Sequence, residues 1–194
     1  ECGAELIIST EMQNLDINKL AVITDSFAII SNFDKNSAEY ASLKETVRLL
    51  ATKRFLKFIT TPGLLSASDV LKAGNQFFIN LTDNTNEEGA SQLAFFLASS
   101  GYEPIIIDNL NISEPLSSMA VYLGNNQMLI DKKLAKNVNF IGFEQIVVSS
   151  LEKGATNAAM INGTLLIGAG YTNTIAELKA KNIELSTPSE VMSL

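Results

Sequence analysis

Residues 62–89 read PGLLSASDVLKAGNQFFINLTDNTNEEG, and they lay out one structural unit in order. Val70–Ala73 and Phe77–Asn80 are short β-rich runs, and Gly74-Asn75 between them is a hairpin dipeptide. Thr85 or Asn86 then offers an N-cap, with Glu87-Glu88 placed in the first turn where the helix dipole favours acid. The spacing of Leu93, Phe96 and Leu97 predicts a helix over Glu87–Ser99, and Pro104–Ile107 predicts a closing strand. The unit is strand, hairpin, strand, helix, strand.

Working outward, the same pattern recurs along the chain. Leu20–Thr24 and Phe27–Ser31 flank Asp25-Ser26, a helix is predicted from Ala38 to about Lys53 with Leu43, Val47 and Leu50 on one face, and Leu56–Thr60 reads as a buried strand. A third copy pairs Met119–Leu123 with Met128–Ile130 across Gly124-Asn125-Asn126 and closes with Ile141–Val148. A fourth pairs Ala158–Ile161 with Thr164–Ile167 across Asn162-Gly163, has a helix from about Thr174 to Lys181, and closes with Ile183–Leu185. Glu5–Ile8 reads as the last strand of a further copy. No such unit buries its own apolar face alone, so the copies are expected to pack around a common axis. The expected fold is an α/β propeller of repeated ββαβ units, the first incomplete, with residues 1–194 forming a single domain. An open α/β sheet is the alternative; it needs long crossovers between parallel strands, whereas these hairpins join antiparallel neighbours.

Composition narrows the function. A hydrophobic content of 46% with 18% charged residues indicates a compact globular chain. The net charge of −7 and a cluster limited to Lys132, Lys133 and Lys136 argue against a nucleic-acid partner. No apolar run reaches the ~20 residues of a membrane span. The single cysteine, Cys2, cannot form an internal disulfide, and a cytoplasmic location is expected. The opening ECGAEL, with no initiator methionine, reads as a chain whose true beginning is missing. The sequence contains no histidine, which excludes Ser-His-Asp triads and histidine metal sites within it. Gly163, Gly168 and Gly170 form no phosphate-binding run, and no two carboxylates stand out as a glycosidase pair. Glu144, Glu152 and Asp131 read as surface charge. Cys2, with no histidine to activate it, reads as structural or incidental.

Several short motifs share one order and spacing: Pro62-Gly63, Asp69-Val70-Leu71, Thr85-Asn86-Glu87-Glu88-Gly89, Tyr122-Leu123-Gly124, Asn157 with Ile161-Asn162-Gly163, and Ala169-Gly170-Tyr171. Through them nearly the whole chain resembles the dimethylarginine dimethylaminohydrolases and related amidinotransferase-like enzymes, the penteins. The resemblance implies a five-bladed α/β propeller and hydrolysis of a guanidine by a cysteine thiolate, assisted by a histidine and a carboxylate. It implies no cofactor and no metal.

At the positions that carry this chemistry, the residues differ from the family pattern. Ser66-Ala67-Ser68-Asp69 stands where the resemblance implies an acidic run, and Ser66 replaces the carboxylate that would hold the guanidine. A serine hydroxyl is neutral and cannot balance a guanidinium. Counting back from Tyr122-Leu123-Gly124 places Pro115 at the histidine. Asn18-Lys19 falls at an implied glutamate-aspartate pair, Asn84 at an arginine, and residues near Ser37-Ala38 at further arginines. The nucleophilic cysteine would fall beyond Leu194. Asp69 matches a family aspartate near the substrate and equally suits a structural role, binding backbone amides or capping a strand end.

The expected function is therefore that of an inactive relative of guanidine-modifying hydrolases, a pseudoenzyme that binds a protein or a small molecule. A homo-oligomer stays open. The alternative is an active amidinohydrolase, of the dimethylargininase or arginine deiminase kind, with its cysteine past Leu194. Asn18, Lys19, Ser66, Asp69, Asn84 and Pro115 are expected to cluster at one end of the propeller axis.

Overall fold

The structure, a computed structural model, describes residues 20–32, 47–48, 50–52, 54–108 and 110–187. Asn18, Lys19, Ser37, Ala38, the expected strand Glu5–Ile8 and most of the first expected helix lie outside the described residues. The described parts of residues 6–70 and 75–111 form one compact unit, and those of residues 71–74 and 112–194 form another.

Each hairpin read from the sequence is present, and each recruits a third strand to make a three-stranded sheet. The first runs β1 (Ala21–Ile23), β2 (Phe27–Ile30), β3 (Phe55–Phe58), and the second β4 (Val70–Ala73), β5 (Gln76–Asn80), β6 (Glu103–Ile107). The third runs β7 (Ala120–Gly124), β8 (Gln127–Asp131), β9 (Glu144–Val148), and the fourth β10 (Ala159–Ile161), β11 (Thr164–Leu166), β12 (Leu185–Ser186). The register is antiparallel in β1/β2, β7/β8 and β10/β11, as in Ala21↔Ile30 and Ile161↔Thr164. In all four sheets the middle strand pairs with the third in parallel. A parallel return needs a crossover. Helix α1 (Glu87–Ala98) supplies it between β5 and β6, and α2 (Thr172–Ala180) between β11 and β12. Between β8 and β9 the chain makes a run of turns anchored by the fully buried Phe140. A feature the sequence reading did not foresee is a short helical turn leading into the first strand of a sheet: Ala67–Asp69, Leu116–Ser118 and Lys153–Thr156.

The repetition extends to side chains. Asn75 donates its amide to the Gly101 carbonyl and accepts from the Glu103 N–H through its own carbonyl, while Gln76 donates to Glu103. Asn126 does the same with Gly142 and Glu144, and Gln127 donates to Glu144. The aromatic between each glycine and glutamate makes an edge contact, Tyr102 with Phe77 and Phe143 with Tyr122. Asn-Gln in the hairpin and Gly-aromatic-Glu at the third strand thus lock the crossover twice over.

Burial follows strand position. The middle strands β2, β5 and β8 are buried almost throughout, which explains their continuous apolar runs FAII, FFI and MLI. The third strand pairs on one side only, and this corrects one expectation: Leu56–Thr60 read as buried, but Phe58 is exposed, Leu56 is half-buried against Leu20, Ala28 and Ile30, and Ile59, beyond the end of β3, is the residue that is fully part of the core. In the first unit Ala90, Leu93 and Leu97 present one face of α1 to Phe27, Ile29, Phe77 and Ile79. Each of these large side chains contributes about 1.5–3 kcal/mol by leaving water. In the second unit Leu178 of α2 packs on Leu129, Ile146, Val148 and Leu165.

Candidate functional site

The loop from Ile59 to Asp69 lies on the start of α1, and hydrogen bonds fix it there. Asn86 is the N-cap: its Oδ1 accepts from Gly89 N–H at 2.8 Å and from Leu64 N–H at 2.9 Å, and its Nδ2 donates to the Pro62 carbonyl at 3.0 Å. Gln92 Oε1 accepts from Thr60 N–H and its Nε2 donates to the Thr60 carbonyl, both at 2.9 Å. Two glycines permit the approach. A Cβ on Gly89 would stand 2.0 Å from the Leu64 carbonyl oxygen, and one on Gly63 would stand 2.8 Å from Gln92 Nε2 and 3.1 Å from the Gly89 Cα. Pro62-Gly63 and Asn86-x-x-Gly89 are thus two halves of one joint.

The seat created by this joint holds Asp69, which is buried. Its Oδ2 accepts from the Thr85 hydroxyl at 2.7 Å and from the Thr82 hydroxyl at 2.8 Å. Thr85 Oγ1 accepts in turn from Ser66 N–H at 3.0 Å, and Thr82 Oγ1 from Asn84 N–H at 3.0 Å. Ser66, Asp69 and Asn84 are therefore joined by one continuous chain of hydrogen bonds, Ser66–Thr85–Asp69–Thr82–Asn84. Ser66 and Ser68 share a hydroxyl contact of 2.8 Å beside it. Asn84 itself is exposed, and only its backbone enters the chain. Pro115 belongs to the other unit, where it is exposed and its carbonyl accepts from the Ser118 N–H and hydroxyl.

Carboxylates of the second unit depart from their expected role. Glu152 and Asp131, read as surface charge, are buried, because each finds donors there. Glu152 sits just before the turn Lys153–Thr156 and reaches the first turn of α2. It accepts from Asn173 N–H at 3.0 Å, from Thr174 N–H at 2.8 Å and from the Thr174 hydroxyl at 2.6 Å. Asp131 accepts from Lys133 N–H at 2.8 Å and starts the turn after β8. Of the three read as surface charge, Glu144 alone is exposed, and it pairs with Lys181. The Thr174 hydroxyl, with the Asn173 and Thr174 amides, holds the Glu152 carboxyl below its ordinary value. Lys181 does the same for Glu144, and the Lys133 ammonium pulls Glu114 down to about 2.

A group whose folded value is depressed stabilises the fold above its unfolded pKa of about 4.3, and that stabilisation is lost as pH falls through the folded value. Among the described residues these three glutamates all lie in the second unit. Lowering the pH below about 4 is thus expected to cut amide-exchange protection in α2 and β9 before it does so in α1 and β5. Equal loss in both would overturn this.

No family model matches the chain. A curated dimethylarginine dimethylaminohydrolase of Pseudomonas aeruginosa is 27% identical over 157 residues, covering 79% of this chain and 61% of that relative's length. The crystal structure of dimethylarginine dimethylaminohydrolase from Pseudomonas aeruginosa, complexed with citrulline, superposes with a TM-score of 0.76 at 24% identity, over 88% of this chain and 67% of that one. The chain is similar to dimethylarginine dimethylaminohydrolase and has the fold of the amidinotransferase-like penteins. Two further penteins show the same fold at lower identity. The N-terminal domain of a cyanobacterial arginine dihydrolase matches with a TM-score of 0.70 at 13% identity, covering 88% of this chain and 66% of that one. The inosamine-phosphate amidinotransferase of Streptomyces griseus matches at 0.71 and 15%, covering 88% and 61%.

In this fold the segment 62–89 is a positioning device first. Its one carboxylate between residues 66 and 69 is committed to two threonine hydroxyls, and what it presents beside them is the Ser66–Ser68 hydroxyl pair. Among the described residues no three His, Cys, Asp or Glu side chains gather to hold a metal ion, and no helix is long and apolar enough to cross a membrane. The sequence reading missed Thr82 and Gln92. Gln92 faces a backbone brought in from 32 positions away and Thr82 a carboxylate from 13 away, which no local motif marks.

Proposed function

We propose that this pentein is a binding protein for a protein or small-molecule ligand and does not hydrolyse guanidines. The observation that carries the reading is the loop Ser66–Asp69. Where the family resemblance implies an acid for the guanidinium, Ser66 offers a hydroxyl tied to Ser68, and the neighbouring Asp69 directs its Oδ2 at Thr82 and Thr85. Pro115 at the implied histidine and Lys19 at an implied carboxylate support it. On this reading the four sheets and the strand at Glu5–Ile8 form a five-bladed propeller, Asn18, Lys19, Ser66, Asp69, Asn84 and Pro115 line one end of its axis, and the protein is cytoplasmic.

Guanidine hydrolysis needs a thiolate to attack carbon, a group to protonate the leaving amine, and anions to hold the cation. A positioned acid or base contributes about 10²–10⁴ in rate, and members of one catalytic set fail together. No citrulline is expected from arginine, methylated arginine or agmatine, nor any calorimetric binding of these cations. The second reading, an active amidinohydrolase with a cysteine past Leu194, draws on the likeness to the Pseudomonas aeruginosa dimethylarginine dimethylaminohydrolase. Steady citrulline release by the protein, extended by any residues its reading frame adds, would establish that reading and sink the first.

A further inference from the structure

The turn between β10 and β11 combines two features that no other described hairpin has together: an exposed pair of left-handed residues, a geometry Asn125-Asn126 shares, and an asparagine followed directly by glycine. Asn162 and Gly163 are both exposed, and both take left-handed backbone, with φ of 48° and 86°. Asn111, Asn125, Asn126 and Asn182 share the positive φ, but Ile112, Asn126, Gln127 and Ile183 follow them, so a side chain shields the next backbone nitrogen. After Asn162 comes glycine, and nothing lies within 4 Å of where a Cβ on Gly163 would stand.

We propose that Asn162 is a modification site, at which the chain converts its own asparagine to aspartate and isoaspartate. The Gly163 backbone nitrogen, having given its proton to solvent base, attacks the Asn162 side-chain amide carbon. The new N–C bond closes a five-membered succinimide as the C–N bond to the amide nitrogen breaks, and that nitrogen leaves as ammonia with a proton from water. A water molecule then opens the ring at either carbonyl, giving aspartate or, with the main chain rerouted through the side chain, isoaspartate. Solvent water and base are the only co-reactants, and no oxidation occurs.

The fold sets both access and consequence. The attack requires the turn to open, and the hairpin that holds it is only three pairs long, from Ala159↔Leu166 to Ile161↔Thr164. Its residues are largely half-buried or exposed, apart from Leu165. Isoaspartate inserts one extra backbone carbon into a two-residue turn, and such turns fix the register of their strands. The Ile161↔Thr164 pairing is then lost, and Leu165 is drawn from the core it shares with Leu129, Ile146 and Leu178.

The full chain, incubated folded in mildly alkaline buffer, is followed by peptide mapping and by methylation with a protein isoaspartyl methyltransferase. The peptide containing Asn162 is expected to gain the mass difference between an amide and an acid at least tenfold faster than those containing Asn111, Asn125, Asn126 or Asn182. The rate should rise in proportion to hydroxide, and the melting midpoint should fall as isoaspartate accumulates. Asn162→Gly, which keeps left-handed turn residues, should abolish both changes. Conversion of Asn162 no faster than of Asn125 in the folded chain, or an unchanged melting midpoint after conversion, overturns the proposal.

Discussion

Gly89→Ala is expected to destabilise the protein by about 1–3 kcal/mol, although helix propensity alone points the other way. Gly89 sits in the first turn of α1, where alanine is favoured over glycine by about 1 kcal/mol. The added methyl, however, would stand 2.0 Å from the Leu64 carbonyl oxygen, 2.6 Å from its carbon and 2.9 Å from its nitrogen. Those are backbone atoms, and they cannot withdraw alone. Leu64 is bound through both N–H and carbonyl to Asn86, Pro62 is held by the same side chain, and Thr60 is held by Gln92. Moving the loop aside forfeits several hydrogen bonds of about 0.5–1.5 kcal/mol each. The measurement is a urea titration, read as a lower midpoint at unchanged slope. Ser91→Ala, at an exposed position of the same helix, is the control and should be neutral or slightly stabilising. A Gly89→Ala protein as stable as the parent would mean that the loop is not seated as described.

The hairpins were readable because turn dipeptides separate short apolar runs, and each forms where the sequence places it. Their third strands were located within a few residues, yet β3 was misjudged. Leu56 and Phe58 look like core by composition, but a strand paired on one side need not bury both faces, and hydrophobicity alone does not reveal which strand is central. The stronger signal was present and went unread. Asn75-Gln76 with Gly101-Tyr102-Glu103, and Asn126-Gln127 with Gly142-Phe143-Glu144, mark the same crossover lock in two sheets.

The site was legible by position and not by contact. Ser66, Asp69 and Asn84 emerge from the family motif, but what joins them is Thr82 and Thr85, and a threonine hydroxyl has no sequence signature that tells a buried donor from a surface one. Glu152 failed for a related reason. A carboxylate is normally solvated, and only the return of α2's first turn to residue 152 supplies the amides that make its burial favourable.

Asp69→Ala is expected to cost about 2–4 kcal/mol, because it removes an ionised acceptor and leaves two hydroxyl donors facing a buried gap. Asp69→Asn keeps an oxygen but loses the charge, and its amide nitrogen cannot accept, so about half that loss is expected. Thr85→Val should act through the same bond. It deprives Asp69 of one donor and Ser66 N–H of its acceptor while preserving side-chain shape. Combined with Asp69→Ala, the two losses should fall short of additivity by about 1 kcal/mol or more, the mark of a shared interaction. These outcomes separate two roles for the aspartate. If Asp69 serves to hold a cationic substrate, Asp69→Asn should alter binding while leaving the denaturation midpoint nearly unchanged, since a substrate anchor contributes little to the empty protein. If it holds the Ser66 and Asn84 loops together, stability falls first, and the Thr85 cycle shows coupling in the absence of any ligand. The geometry, with Oδ2 2.7 and 2.8 Å from two threonine hydroxyls of the neighbouring turn, leads to the second result.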